Sequence, residues 1–154
     1  MKIPTTLKHK PVIIAEDYDK VDGQYRENSD AKGLTLGLAQ WNDRGRVDVS
    51  AKVWRHTGEK WSRQSEELPM HRVIDLAILI CRAQQYFNNA SAEQYQKNPA
   101  VDVISFDDGD MNINVCTDNP MIGEDIKLFR DALSKDPYLK ERLQTLASVL
   151  KDME

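Results

Sequence analysis

Long apolar runs are absent from this chain. The longest, Leu76 to Cys81, holds six residues, far below the roughly 20 that a membrane-crossing helix needs, and the first residues lack the apolar core of a signal peptide. The expectation is a cytoplasmic protein with no membrane partner. Cysteine is scarce as well. Cys81 and Cys116 make no disulfide framework, and both are expected to be reduced and to sit as small buried hydrophobes. The three histidines, His9, His56 and His71, have no metal-ligand spacing, and no P-loop, dinucleotide fingerprint or nucleophile elbow is present. No cofactor and no metal are therefore expected.

What is present fits an ordinary globular chain: 154 residues, 40% hydrophobic and 30% charged, enough for one domain spanning 1–154. The formal charge of −4 gives a polyanion no general attraction. Its distribution is uneven, however. Residues 44–63 carry six Lys or Arg against two acids, whereas residues 101–125 carry seven acids and no Lys or Arg.

Val12 to Ala15 reads as a short β-branched strand. Residues 16–32 are polar and without period, which predicts a long surface loop. Leu34, Leu36 and Leu38 then alternate with smaller residues, as do Val47, Val49, Ala51 and Val53, which predicts two strands burying one face. If the two apolar sets share that face, the connection through Asn42-Asp43-Arg44-Gly45 holds an even number of residues. Trp41, Arg46, Lys52 and Trp54 then lie together on the other face. A turn at Thr57-Gly58 and an outer strand over Glu59 to Ser65 add Trp61 opposite Trp54 and Arg63 opposite Lys52.

Pro69 suits the first turn of a helix that runs to about Phe87 and is apolar around most of its circumference, so it is expected to be covered on more than one side. A polar connection, 88–100, leads to a hairpin of Val101 to Phe106 and Met111 to Thr117 around Asp107-Asp108-Gly109-Asp110. Asn119-Pro120 and Asp136-Pro137 each supply a cap and a first-turn proline for two closing helices, expected to pack as an antiparallel pair. The fold class is α+β: an antiparallel sheet with helices packed on it, in the order β-ββ(β)-α-ββ-α-α.

The three tryptophans and their basic neighbours carry the functional expectation. Aromatic rings that stack on bases, ringed by cations that pair with phosphates, are how single strands of nucleic acid are held. Trp41, Arg46, Lys52, Trp54, Arg55, Trp61 and Arg63 are the candidate binding residues, with Gly37 and Ala39 leaving room for a base. The alternative is a protein-interaction or assembly module that buries the same face in a homo-oligomer. A third reading, an enzyme, rests on His71 and Asp75 one helical turn apart, or on the loop of Asp17, Asp19 and Asp22, whose spacing is not that of a calcium loop. No residue is assigned a catalytic role.

Two resemblances attach to these residues. From Lys32 through Trp41-Asn42-Asp43-Arg44-Gly45 and Ala51 to Trp61, and on to Leu68-Pro69, the chain resembles an uncharacterised bacterial family of unknown function over nearly its whole length. Residues 33–87, with Trp41-Asn42-Asp43, Val53-Trp54 and Gly58-Glu59 followed by a helix, are similar to transcriptional coactivators of the positive cofactor four type. That second resemblance implies single-stranded DNA binding on a curved sheet and dimerisation through the helix.

Overall fold

The computed structural model describes residues 1–43, 47–63, 66–91 and 93–154. Their contacts cluster in two units, Met1–Asp75 and Leu76–Glu154, with the helix over Met70–Asn89 (α1) contributing to both.

The first unit is a four-stranded antiparallel sheet of β1 (Lys10–Glu16), β2 (Ala31–Leu38), β3 (Val49–Arg55) and β4 (Glu67–Pro69), in that spatial order. Two 3-10 turns, Tyr18–Val21 and Gly23–Tyr25, occupy the expected 16–32 loop. The expected parity of the β2–β3 register holds: Leu34 faces Val53, Leu36 faces Ala51 and Leu38 faces Val49. The side chain of Asn42 braces the connection, donating to the Asp48 carbonyl and accepting from the Asp48 amide. The outer strand differs from expectation. Trp61 pairs with His56 instead of Trp54, and β4 lies further on, with Glu67 opposite Lys52.

The buried face is the reverse of the one the leucines suggest. Ala31, Gly33, Thr35, Gly37 and Ala39 are buried, while Leu36 and Leu38 stay exposed. Short side chains explain the inversion. They let another segment lie close to the backbone, and the bulky indole of Trp54 sits opposite Gly33. A Cβ on Gly37 would run into the backbone of Lys10 and Pro11, and one on Gly33 would meet the Ile3 side chain. The space expected to admit a base beside Gly37 is filled by the protein itself.

The second unit comprises the rest of α1, the short α2 (Gln94–Lys97), the hairpin β5 (Ala100–Phe106) and β6 (Gly109–Asn114), then α3 (Ile122–Lys135) and α4 (Pro137–Asp152). Phe106 pairs with Gly109, so the hairpin turns through Asp107-Asp108 alone, and Gly109 takes φ +149°. An ion pair between Arg82 and Asp102 at 2.8 Å ties α1 to β5. Arg130 of α3 donates to the Phe87 carbonyl at 3.0 Å.

Several expectations are corrected here. Cys116 lies beyond β6 and is exposed, and Cys81 is half-buried. No residue of α1 is buried. Asp136 caps α4 as expected, accepting from the amides of Tyr138 and Leu139, but Asn119 instead closes a turn through Met121 and α3 starts at Ile122. Only Asp136 separates α3 from α4. No helix among the described residues is long and apolar enough to cross a membrane.

Candidate functional site

The small-residue face of the first sheet brings together polar groups from distant parts of the chain. Trp54 Nε1 donates to Thr35 Oγ1 at 2.8 Å, and Thr35 Oγ1 lies 2.9 Å from His9 Nε2. On the other side of the ring, His9 Nδ1 lies 3.1 Å from Ser50 Oγ and 3.2 Å from Glu67 Oε2. Ser50 Oγ donates to the same carboxylate oxygen at 2.7 Å, and so does the amide of Gln40 at 2.9 Å. One assignment of hydrogens fits these bonds: the Thr35 hydroxyl donates to Nε2, and a proton on Nδ1 is shared between Ser50 and Glu67, while Glu67 Oε1 is buried without a hydrogen-bond partner among the described residues.

Solvent is excluded from this cluster. His9 and Ser50 are fully buried, Trp54 is 1% exposed and the Glu67 side chain 1%. Burial without partners would be expensive for each group, so the hydrogen bonds to His9, Ser50, Thr35 and Glu67 Oε2 are what make the arrangement tenable. Lys52 completes it electrostatically, with Nζ 3.8 Å from Glu67 Oε1 and 4.0 Å from the centre of the Trp54 ring. Burial pulls the Lys52 ammonium below its usual range, and the neighbouring Glu67 carboxylate opposes that shift. Sealed in this way, the His9–Glu67 pair presents no ring nitrogen or carboxylate oxygen to a substrate. What it does is fasten the segment before β1 onto the sheet.

The residues expected to form a wet aromatic platform divide among several settings. Trp54 and Lys52 belong to the sealed cluster. Trp61 is half-buried and packs edge-on against Trp54 and His56, with ring centres 5.8 and 5.0 Å apart. Trp41 is 37% exposed and its Nε1 donates to Asp48 at 2.9 Å. Arg55 is clamped between Asp30 at 2.6 Å and Glu66 at 2.8 Å, which raises its pKa further and holds the Glu66 carboxyl below the usual range. Arg63 is exposed, and Arg46 lies outside the described residues. The structure thus joins Lys52, Trp54 and Trp61, and leaves Trp41, Arg55 and Arg63 apart.

The other proposed sites also disperse. His71 is exposed and makes no hydrogen bond to Asp75 among the described residues. Asp17, Asp19 and Asp22 turn to separate partners: the Met1 amine, Lys32 and Ser29. His9, Thr35, Ser50 and Glu67 escaped the sequence reading. The alternation of Thr35 and Ser50 with apolar residues was a signal for two of them, whereas His9 lies in irregular chain and carries no periodic mark.

The opposite face of the sheet is apolar and open. Ile13, Leu34, Leu36, Ala51, Val53 and Leu68 line a shallow hollow of about 470 Å³. Ile13 is 61% exposed and Leu36 40%. Both edges of the sheet are blunted: β1 carries Lys10, Pro11 and a bulge before Ile13, and β4 is three residues long and ends in Pro69. Such devices keep sheet edges from pairing with other chains, which leaves the leucine face, bordered by Val73 of α1, as an open apolar surface of this unit.

Comparison with known proteins found no matching curated protein and no matching solved structure, and no match supports the likeness of residues 33–87 to the single-stranded DNA-binding coactivators. One family model, described as a family of unknown function (DUF6530), matches residues 1–154. The chain belongs to that family.

Proposed function

We propose that this protein is an assembly module that pairs with a second copy of itself through the leucine face of its first sheet. The observation that carries the reading is that Leu36, Leu38 and Val49 lie exposed on one sheet face whose edges are both blunted. A contiguous apolar surface of this kind marks a protein contact more often than a free surface. The tryptophan face cannot serve, because the chain's own first residues cover it with Ile3 and His9.

Charge favours a second copy as the occupant. Lys10 sits at one end of the face, opposite Leu38, while Asp30, Arg55 and Glu66 form a cluster with one net negative charge at the other end. A twofold axis lying across the strands stacks two such faces and sets Lys10 of one copy over the acidic end of the other. Aligned sheets stack about 10 Å apart with their side chains interdigitated, and a twofold contact of one patch with itself is the commonest form of association.

Sedimentation velocity over a dilution series tests this. The chain should sediment as a dimer that dissociates on dilution, and Leu36→Glu should be monomeric with an unchanged circular dichroism spectrum. A wild-type chain that stays monomeric throughout, or a Leu36→Glu variant that still dimerises, overturns the reading. A nucleic-acid platform would have to rest on Trp41 and Trp61, because Trp54 is closed.

A further inference from the structure

The second unit contains a cavity of about 320 Å³ between α1, the β5–β6 hairpin and α3. Its size falls at the lower end of the roughly 300–1,000 Å³ of small-molecule sites, which are mostly apolar with a few fixed polar groups. Ile113 and Ile126, both nearly fully buried, belong to its lining. Phe87 and Phe129 form an aromatic wall, packed edge-to-face with ring centres 5.7 Å apart, and Ala83 on α1 is too small to fill the space before them.

Two polar features single out a ligand chemistry. Tyr86 lines this cavity, and its hydroxyl is buried with no hydrogen-bond partner among the described residues, an expensive condition for a group able both to donate and to accept. Asp125 is the one charged residue in the lining, and its carboxylate is steadied by the Asn119 side-chain amide at 2.8 Å. It is exposed, as suits a rim position. An apolar interior, an aromatic wall, one negative charge and one idle hydroxyl together describe a complement.

We infer that this cavity binds a small aromatic amine. The ring enters against Phe87 and Phe129, the ammonium pairs with Asp125, and a ring hydroxyl meets Tyr86 Oη. An anion of the same shape is rejected by Asp125, and aliphatic amines lose the ring contacts.

Three probes separate these contributions in the full-length protein: tyramine, which carries ring, hydroxyl and ammonium; phenethylamine, which lacks the hydroxyl; and 4-hydroxyphenylacetate, which replaces the ammonium with a carboxylate. Titrations followed by methyl NMR should show saturable tyramine binding that shifts Ile113 and Ile126. Phenethylamine should bind about fivefold more weakly, in line with one net hydrogen bond, and the carboxylate should not bind. Asp125→Asn should weaken both amines by about three- to tenfold, and Tyr86→Phe should abolish the difference between them. Bound tyramine should also slow alkylation of Cys116, which lines the cavity and is exposed. No saturable binding, equal binding of the carboxylate, shifts away from Ile113 and Ile126, or a tyramine preference that survives Tyr86→Phe overturns the inference. Because the variants lie in the second unit, these outcomes are independent of dimerisation through the first sheet.

Discussion

Trp54 Nε1 donates to Thr35 Oγ1 at 2.8 Å, and through that hydroxyl the indole is linked to His9. Thr35 thus serves two partners at once, accepting from the indole and facing His9 Nε2 at 2.9 Å.

Thr35→Val keeps the shape of the side chain and removes both bonds. It strands a buried indole N–H and a buried ring nitrogen, so urea denaturation followed by Trp fluorescence should show a loss of about 2–4 kcal/mol. Thr35→Ser retains the hydroxyl and should lose less than half as much. Equal losses for the two variants would show that the methyl group, and not the hydrogen-bond relay, matters at this position.

Glu67 accepts from Gln40 and Ser50 and faces Lys52 across 3.8 Å. Removing one partner of a buried pair leaves the other charge uncompensated, so Glu67→Ala should destabilise the chain by about 3–5 kcal/mol. Lys52 adds a dependence on pH. Its folded-state value lies below 10.5, so the folded chain holds that proton less tightly than the unfolded chain does. Lys52 therefore weakens the fold at neutral pH, and the penalty is relieved as pH rises through the folded value towards 10.5. Chemical denaturation across the alkaline range should show that relief in the wild type and not in Lys52→Met.

Gly37 and Gly33 differ in what a methyl group would meet. At Gly37 the obstacle is the backbone of Lys10 and Pro11, and at Gly33 the nearest atom is the flexible end of Ile3. Gly37→Ala should therefore cost about 2–3 kcal/mol, near the upper end for overpacking, and Gly33→Ala about 1 kcal/mol. Denaturation midpoints in the opposite order would contradict the close approach of β1 to β2 at Gly37.

Local chemistry was legible in the sequence where it depends on near neighbours. The Asp136-Pro137 cap, the Asp107-Asp108 hairpin and the shared parity of the leucine and valine strands all follow from residues a few positions apart. The choice of buried face did not follow. Periodicity says which residues lie on the same side, and volume suggested the leucines, but the outcome was set by Ile3 and His9 arriving from irregular chain against Gly33 and Thr35. Spacing grouped Trp54 and Lys52 with Trp61, as the structure does, but gave no sign that burial closes the first two. In the second unit, spacing identified α3 and α4 but not the brevity of the link between them, a single residue.

The bond between His9 and Glu67 spans 58 positions, and this separation imposes an order of events during synthesis. The first strand pairs with β2, but the His9 anchor that precedes it stays incomplete on the ribosome until β4 emerges. His9 and Ser50, fully buried in the finished fold, lack their carboxylate partner in that interval. Chaperone demand for this protein should accordingly be greatest before Glu67 leaves the exit tunnel and should fall once it has done so.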